Sequence, residues 1–259
     1  AQLLPDFAHN ALSAVSATLT AMKIERLLQS QGFGTRRDCR AIVRAGLFEL
    51  AGKVIEDPFA EVDPVGLEFM VDGEVWEYHD KAYVMLHKPM GFECSRNPQH
   101  HRSVFDLLPP QFAHRNMQPV GRLDVETTGL LLLSDDGQFI HAWSSSKKRV
   151  PKRYEVMTKH PVNDTLLDTL REGVLLKDET ELLKAAAVER TDEHALSMVV
   201  TEGRYHQVRR MIAAAGNRVT SLHRSSIGGL TLSENLPAGE WCWMNEQAFT
   251  QLAEPLSFA

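Results

Sequence analysis

Apolar residues recur along this chain in two rhythms. Runs rich in β-branched or large apolar side chains, at Tyr83–Leu86, Leu130–Leu133, Arg153–Met157, Leu196–Val200 and Val219–Leu222, predict strands. Helical spacing predicts a helix from Asn163 to Arg171. There Leu166, Leu167 and Leu170 share a face, Asn163 serves as the cap, and Gly173 follows the last turn. A second helix is predicted from about Tyr205 to Ala215. Val208, Met211, Ile212 and Ala215 are apolar, and Gly216-Asn217 closes it. Strands outnumber helices and do not alternate strictly with them. An α+β domain with a mainly antiparallel, mixed sheet is therefore expected over residues 82–259.

Residues 22–78 read as a separate, smaller α/β unit. A short helix is predicted from Ile24 to Gln31, ending near Gly32, and Thr35 offers an N-cap for the next one. That next run, RRDCRAIVRAG, is amphipathic. Arg36, Arg37, Arg40 and Arg44 fall within an arc of about 100°, and Gly46 stops the helix. Short strands follow at Leu47–Leu50 and Val54-Ile55, joined by Ala51-Gly52-Lys53. Charges on a helix usually mark a solvated face. Here four share one sign and only Asp38 interrupts, so the face should repel itself unless an anion such as RNA phosphate meets it. Residues 1–21 contain no Lys or Arg and precede a Met22-Lys23 pair. They read as an extension to which the sequence assigns no role, with Leu12, Val15 and Leu19 at roughly helical spacing.

The formal net charge is −6, so contact with a nucleic acid must come from local basic clusters rather than from the whole surface. Cys39, Cys94 and Cys242 are odd in number and far apart. They form no CxxC pair, and a reducing cytoplasm is expected. No apolar run approaches the roughly 18 to 20 residues of a membrane span, so no membrane partner is expected. His100-His101 and the other histidines lack a metal spacing such as HxxxH, and Asp135-Asp136-Gly137 reads as a turn, so no metal site is expected.

Three segments carry the chemistry. Gly121-Arg122-Leu123-Asp124-Val125-Glu126-Thr127-Thr128-Gly129 places an Arg and an Asp in a loop leading into the buried Leu130–Leu133 run. An arbitrary R-x-D is more often a local ion pair or a capped turn. Glu202-Gly203-Arg204-Tyr205-His206-Gln207-Val208-Arg209-Arg210-Met211 sets three arginines at the opening of a helix. Pro151-Lys152-Arg153-Tyr154 puts an aromatic beside cations at the start of a strand. This suits stacking on a base near a phosphate, although a core Tyr is the commoner explanation.

Taken in order, these segments resemble the RsuA-type family of ribosomal RNA pseudouridine synthases. Leu86-His87-Lys88-Pro89-Met90-Gly91 is similar to that family's K-P-x-G segment. The first unit, with Thr35-Arg36-Arg37 and the Ala51-Gly52-Lys53 turn, resembles the S4 RNA-binding domain such enzymes carry in front. It departs in having Ala51 where Asn is common. The resemblance spans about Met22 to Glu246, and the RYHQ form of the last motif is most similar to the branch acting on small-subunit 16S rRNA.

The resemblance implies a cofactor-free isomerisation in which the base leaves its ribose carbon, rotates and rejoins through carbon. Asp124 is then the essential carboxylate, Arg209 pairs with it, and Tyr154 stacks on the uracil. Arg122 helps hold the space left by the extruded nucleotide, and Arg204, Arg36, Arg37, Arg40 and Arg44 contact RNA. The implied partner is ribosomal RNA in a small-subunit assembly particle, met by a monomer. Two other readings stay open: a large-subunit rRNA synthase, and an inactive RNA-binding ribosome-assembly factor. A carboxylate nuclease would need metal ligands that the sequence lacks.

Overall fold

A computed structural model describes residues 21–256. The expectations placed on residues 1–20 lie outside the described residues. The chain opens with β1 (Met22–Lys23), α1 (Ile24–Ser30) and α2 (Arg36–Arg44). Then come β2 (Phe48–Leu50), β3 (Lys53–Val54), β4 (Glu61–Val62), β5 (Glu68–Val71) and β6 (Glu74–Glu77). β1 pairs with β4, and the other four form a sheet in the order β3-β2-β5-β6. Ile24, Leu27 and Leu28 of α1, Cys39 and Val43 of α2, and Phe48 and Phe69 of the sheet share one buried core. Thr35 caps α2 as expected: its hydroxyl accepts from Asp38 N, and the Asp38 carboxylate accepts from Thr35 N at 2.9 Å.

The cationic face of α2 is not left to an external anion alone, because Arg40 is ion-paired to Glu25 of α1 and lies over the Phe59 ring. That hydrogen bond holds the Glu25 carboxyl below the usual range. Arg36 donates to Gln29 at 3.1 Å, while Arg36, Arg37 and Arg44 remain exposed.

The turn between β2 and β3 is two residues long. Both are left-handed, Ala51 at φ +49° and Gly52 at φ +73°. Ala51 carries a Cβ into a region that Asn tolerates better. Ala51→Asn is therefore expected to raise unfolding stability by about 0.5 to 1 kcal/mol in urea titration, and no gain would mean this turn is not strained.

The rest of the chain is built on a sheet of nine strands. β7 (Tyr83–Lys88) is followed by the small pair β8 (Phe92–Glu93) and β9 (Arg102–Ser103), then by α3 (Pro110–His114). β10 (Gln118–Val120), β11 (Thr127–Ser134), α4 (Gly137–Ser144), β12 (Lys152–Thr158) and α5 (Asp164–Glu172) come next. The chain continues through β13 (Ala187–Asp192), β14 (Ala195–Val200), α6 (Gln207–Ala214) and β15 (Val219–Ile227). It closes with β16 (Leu230–Thr231), β17 (Trp241–Trp243) and α7 (Glu246–Ala253). The main path runs β13-β14-β12-β15-β11-β7-β17, with β10 on β11 and β16 on β15. Only β11 against β15 is parallel among the described strands of this sheet, so the α+β, mainly antiparallel expectation holds.

β11 shows why four consecutive leucines occur. Leu131 and Leu133 pack with Val84, Leu86 and Phe112 on one face, and Leu130 and Leu132 pack with Phe139, Trp143 and Leu252 on the other. A strand covered on both faces reads as an unbroken apolar run. A third core lies between the sheet and α5 and α6, where Leu166, Leu170, Met211 and Ile212 meet Val156, Leu196 and Leu222. Asn163 caps α5 as expected, accepting from Leu166 N at 2.8 Å.

Asp135-Asp136 is not the turn that was expected. Asp136 caps α4, accepting from Gln138 N at 2.9 Å, while Asp135 pairs with the buried Arg115 at 2.8 Å. The helix predicted from Tyr205 begins only at Gln207, because His206 is left-handed at φ +48° and cannot belong to it. No helix among the described residues is long and apolar enough to cross a membrane.

Candidate active site

The loop between β10 and β11 carries Asp124. Its backbone is fixed from below by Lys88, a fully buried residue at the end of β7. The Lys88 ammonium donates to the carbonyls of Val125 at 3.2 Å, Thr127 at 2.9 Å and Pro89 at 3.0 Å. Burial pushes the Lys88 pKa down. Gly91 N adds a hydrogen bond to the Val125 carbonyl at 2.9 Å, and Asp124 O closes the turn by accepting from Thr127 N at 3.0 Å. The K-P-x-G segment thus acts on the Asp124 loop from a position 36 residues upstream (124 minus 88).

From that loop the Asp124 carboxylate faces the start of α6. Oδ1 lies 3.3 Å from His206 Nε2, and Oδ2 lies 3.9 Å from Arg209 Nε. Arg209 also reaches Glu126, Nη2 to Oε2 at 3.7 Å. The turn into α6 is braced by Gln207, whose side-chain Oε1 accepts from Arg204 N at 3.1 Å and whose Nε2 donates to Glu202 at 3.1 Å. Burial tends to raise the Glu202 pKa. The hydrogen bond from Gln207 and the nearby Arg149 outweigh that and hold it below the usual range.

Asp124, Tyr154, Arg122 and Arg204 line one cavity of about 120 Å³. Four predicted residues from three distant segments are therefore brought together. Arg122 and Arg204 are exposed at its rim, and Arg204 also meets Glu179 at 3.6 Å. Tyr154 is partly buried and packs against two of the cores at once. Arg209 is not in the lining and stands behind Asp124. Arg36, Arg37, Arg40 and Arg44 sit on α2, outside this cavity.

His206, Lys152, Thr127 and Arg224 are among the lining residues to which sequence alone assigns no role. His206 and Lys152 stood inside quoted motifs without a role. Arg224 carries only a weak signal, a charged residue two positions after the apolar Leu222 in the strand VTSLHRSSI. It is 1% exposed. Gly129 lets β11 lie against it, because a Cβ there would stand 2.3 Å from the Arg224 carbonyl oxygen. Lys152 is buried as well, and burial pushes its pKa down to about 8. No cluster of three or more metal-ligating side chains occurs among the described residues.

A buried cationic floor, an exposed basic rim and one braced carboxylate suit an anionic polymer from which a single unit is drawn inward. Comparison with known proteins agrees: residues 82–214 match the RNA pseudouridylate synthase family. The chain belongs to that family. It is 36% identical to YtzG, an RNA pseudouridine synthase of Bacillus subtilis, over 90% of this chain and 99% of that one. It is 34% identical to the ribosomal small subunit pseudouridine synthase A of Salmonella typhimurium, over 87% and 97% of the two chains. A crystal structure of a pseudouridylate synthase superposes with a TM-score of 0.64 at 31% identity, covering 89% of this chain and 99% of the other. The protein is thus an RNA pseudouridine synthase, and the loop and helix that meet at Asp124 both fall within the matched residues.

Proposed function

We propose that this synthase converts one uridine of small-subunit 16S rRNA to pseudouridine, with Asp124 as the essential carboxylate and without a cofactor. The observation that carries the reading is the placement of Asp124. It lines the cavity and is held by His206, at the cap of α6, and by Arg209 within that helix. The target nucleotide is flipped out of its stack at a cost of a few kcal/mol, least for an unpaired base. Tyr154 stacks on the uracil, an interaction worth roughly 1 to 3 kcal/mol. Arg122 and Arg204, exposed at the rim, meet the flanking phosphates. Arg209 orients the carboxylate from behind. The small-subunit target rests on the GRYHQVRRM segment and on similarity to the Salmonella typhimurium small-subunit enzyme.

The deciding experiment is deletion of the gene followed by mapping of rRNA with carbodiimide and primer extension. Loss of one pseudouridine from small-subunit rRNA, restored by the purified protein, is expected. Loss from large-subunit rRNA would move the target and leave the chemistry in place. No loss anywhere would overturn the reading.

Residues 22–78 serve in this proposal as an S4-type RNA-binding domain, residues 82–259 as the catalytic domain, and the protein acts as a cytoplasmic monomer on an assembling particle. Arg40 is engaged by Glu25, so the exposed Arg36, Arg37 and Arg44 are the side chains offered to phosphate. Replacing those three by Ala is expected to flatten the plot of log K against log salt by about 2 to 3 units, at roughly 0.7 to 0.9 per contact. Turnover at saturating RNA should persist. An unchanged slope across several salt concentrations would show that this helix face does not touch the backbone.

A further inference from the structure

The cavity floor holds polar groups that the proposal above leaves without work. Thr127 Oγ1 and Arg224 Nη2 are both buried and have no hydrogen-bond partner among the described residues. Arg224 Nε donates to the Leu130 carbonyl at 2.8 Å, which fixes the guanidinium plane and leaves Nη2 unmet. Lys152 donates once, to the Val150 carbonyl at 2.9 Å, so two of its three protons have no assigned acceptor. A buried polar group without a partner is costly, and its persistence at the bottom of a cavity points to a ligand that completes it.

The sheet explains why these groups converge. Lys152 and Tyr154 alternate on one face of β12, Leu222 and Arg224 on one face of β15, and Thr127 lies at the adjoining end of β11. All five line the cavity. Lys152, Thr127 and Arg224 are buried, whereas Arg122 and Arg204 are exposed. Burial therefore separates a floor from a rim, and Asp124 stands between them with its side chain 32% exposed.

A flipped uridine stays tied to its ribose through N1, so its O2, N3 and O4 edge must lead into the floor. We infer that Arg224, Lys152 and Thr127 form a uracil-reading and charge-receiving floor, donating hydrogen bonds to the carbonyl oxygens of the base. This deepens the proposed function and rests on it. When the C1′–N1 bond breaks with its electron pair leaving on the base, the charge on N1 spreads onto O2 and O4, where the two cations meet it. Rotation brings C5 to C1′, a C5 electron pair forms the new bond, C5 loses its proton, and N1 takes one up. The product is an isomer, with no net oxidation. Glu202 is the carboxylate closest in effect to Lys152, and it is itself tied to Gln207 and Arg149. The same floor rejects cytosine, whose 4-amino group would set a donor against buried donors.

Arg224→Gln, Lys152→Met and Thr127→Val test this, with each fold checked by circular dichroism melting. Single-turnover rates on a small-subunit rRNA transcript are expected to fall at least roughly 100-fold for Arg224→Gln and Lys152→Met, as for loss of a charge-receiving donor, with RNA affinity unchanged. Thr127→Val should fall about 5-fold, and Arg224→Lys should recover part of the loss. Separately, ligand-observed NMR should show uridine 5′-monophosphate binding the wild-type protein at least about 10-fold tighter than cytidine 5′-monophosphate, a gap that Arg224→Gln closes. If Arg224→Gln does not fold, wild-type rates in both Lys152→Met and Thr127→Val overturn the inference. Equal binding of the two nucleotides by the wild-type protein also overturns it. A wild-type protein inactive on every rRNA but selective for the uridine nucleotide would instead overturn the proposed substrate and leave the floor standing.

Discussion

Asp124→Asn should lower the single-turnover rate on rRNA by at least roughly 10³-fold, about 4 kcal/mol of transition-state stabilisation, while RNA affinity changes less than about twofold. The substitution keeps the side chain's shape and one carbonyl oxygen but removes the ionised pair of oxygens. In the folded protein those oxygens face His206 at 3.3 Å and Arg209 at 3.9 Å. An amide nitrogen turned toward Arg209 would meet a second donor and so would weaken the brace as well as the chemistry. Affinity should survive because the proposed function spreads the phosphate contacts over Arg122, Arg204 and the α2 face, whereas Asp124 is paired with His206 and Arg209. The measurement is pseudouridine formation at saturating RNA, paired with filter binding. A rate within tenfold of wild type would remove Asp124 from the mechanism.

What could be read from sequence was what local pattern encodes. The buried β11 run announced itself as four leucines in succession, and the Asn163 and Thr35 caps sat in sequence next to the turns they close. The Asp124 and Arg209 segments were legible because their residues are contiguous. That Arg209 stands beside Asp124 came only with the resemblance and then the fold. Other elements were hidden for physical reasons. α4 is eight residues long, with only Phe139 and Trp143 buried, too short for a period to show. Its first residues also mimic a turn. His206 lies inside a helical pattern yet adopts a left-handed backbone, which no spacing reveals. The pairing of Arg40 with Glu25 spans two helices, so reading α2 alone overstated its free charge.

The least legible feature is the polar junction around Arg115, and its removal should have the largest effect on stability. Arg115 is 7% exposed and each of its three guanidinium nitrogens has a partner. Nε and Nη2 hold the Asp135 carboxylate at 2.9 and 2.8 Å, Nη1 donates to Gln31 at 2.9 Å, and Nη2 donates to the Asp80 carbonyl at 3.2 Å. Gln31 is itself fully buried. It donates to the His79 carbonyl at 3.2 Å and accepts from His79 N at 3.0 Å. One arginine thus ties the end of α1, the connection at residues 79–80 and the start of α4. Around it Trp76 packs edge-on to Phe112 and Trp243, and His79 stacks on Trp243 at 3.8 Å. Arg115→Ala would take the guanidinium from the largely buried Asp135 carboxylate, leaving it the Ala82 N–H, and would remove one of the donors to the Gln31 side-chain oxygen. Removing one partner of a buried pair typically costs about 3 to 5 kcal/mol, more than the aromatic contacts beside it can offset. Urea unfolding should show that loss. Because the junction joins the N-terminal sheet to the catalytic one, it should also open a second, earlier transition as residues 22–78 lose their fixed seat. Arg115→Met with Asp135→Leu, which removes both charges together, should restore much of the stability. A single transition displaced by less than about 1 kcal/mol in Arg115→Ala would show that the aromatic contacts alone hold the two sheets in place.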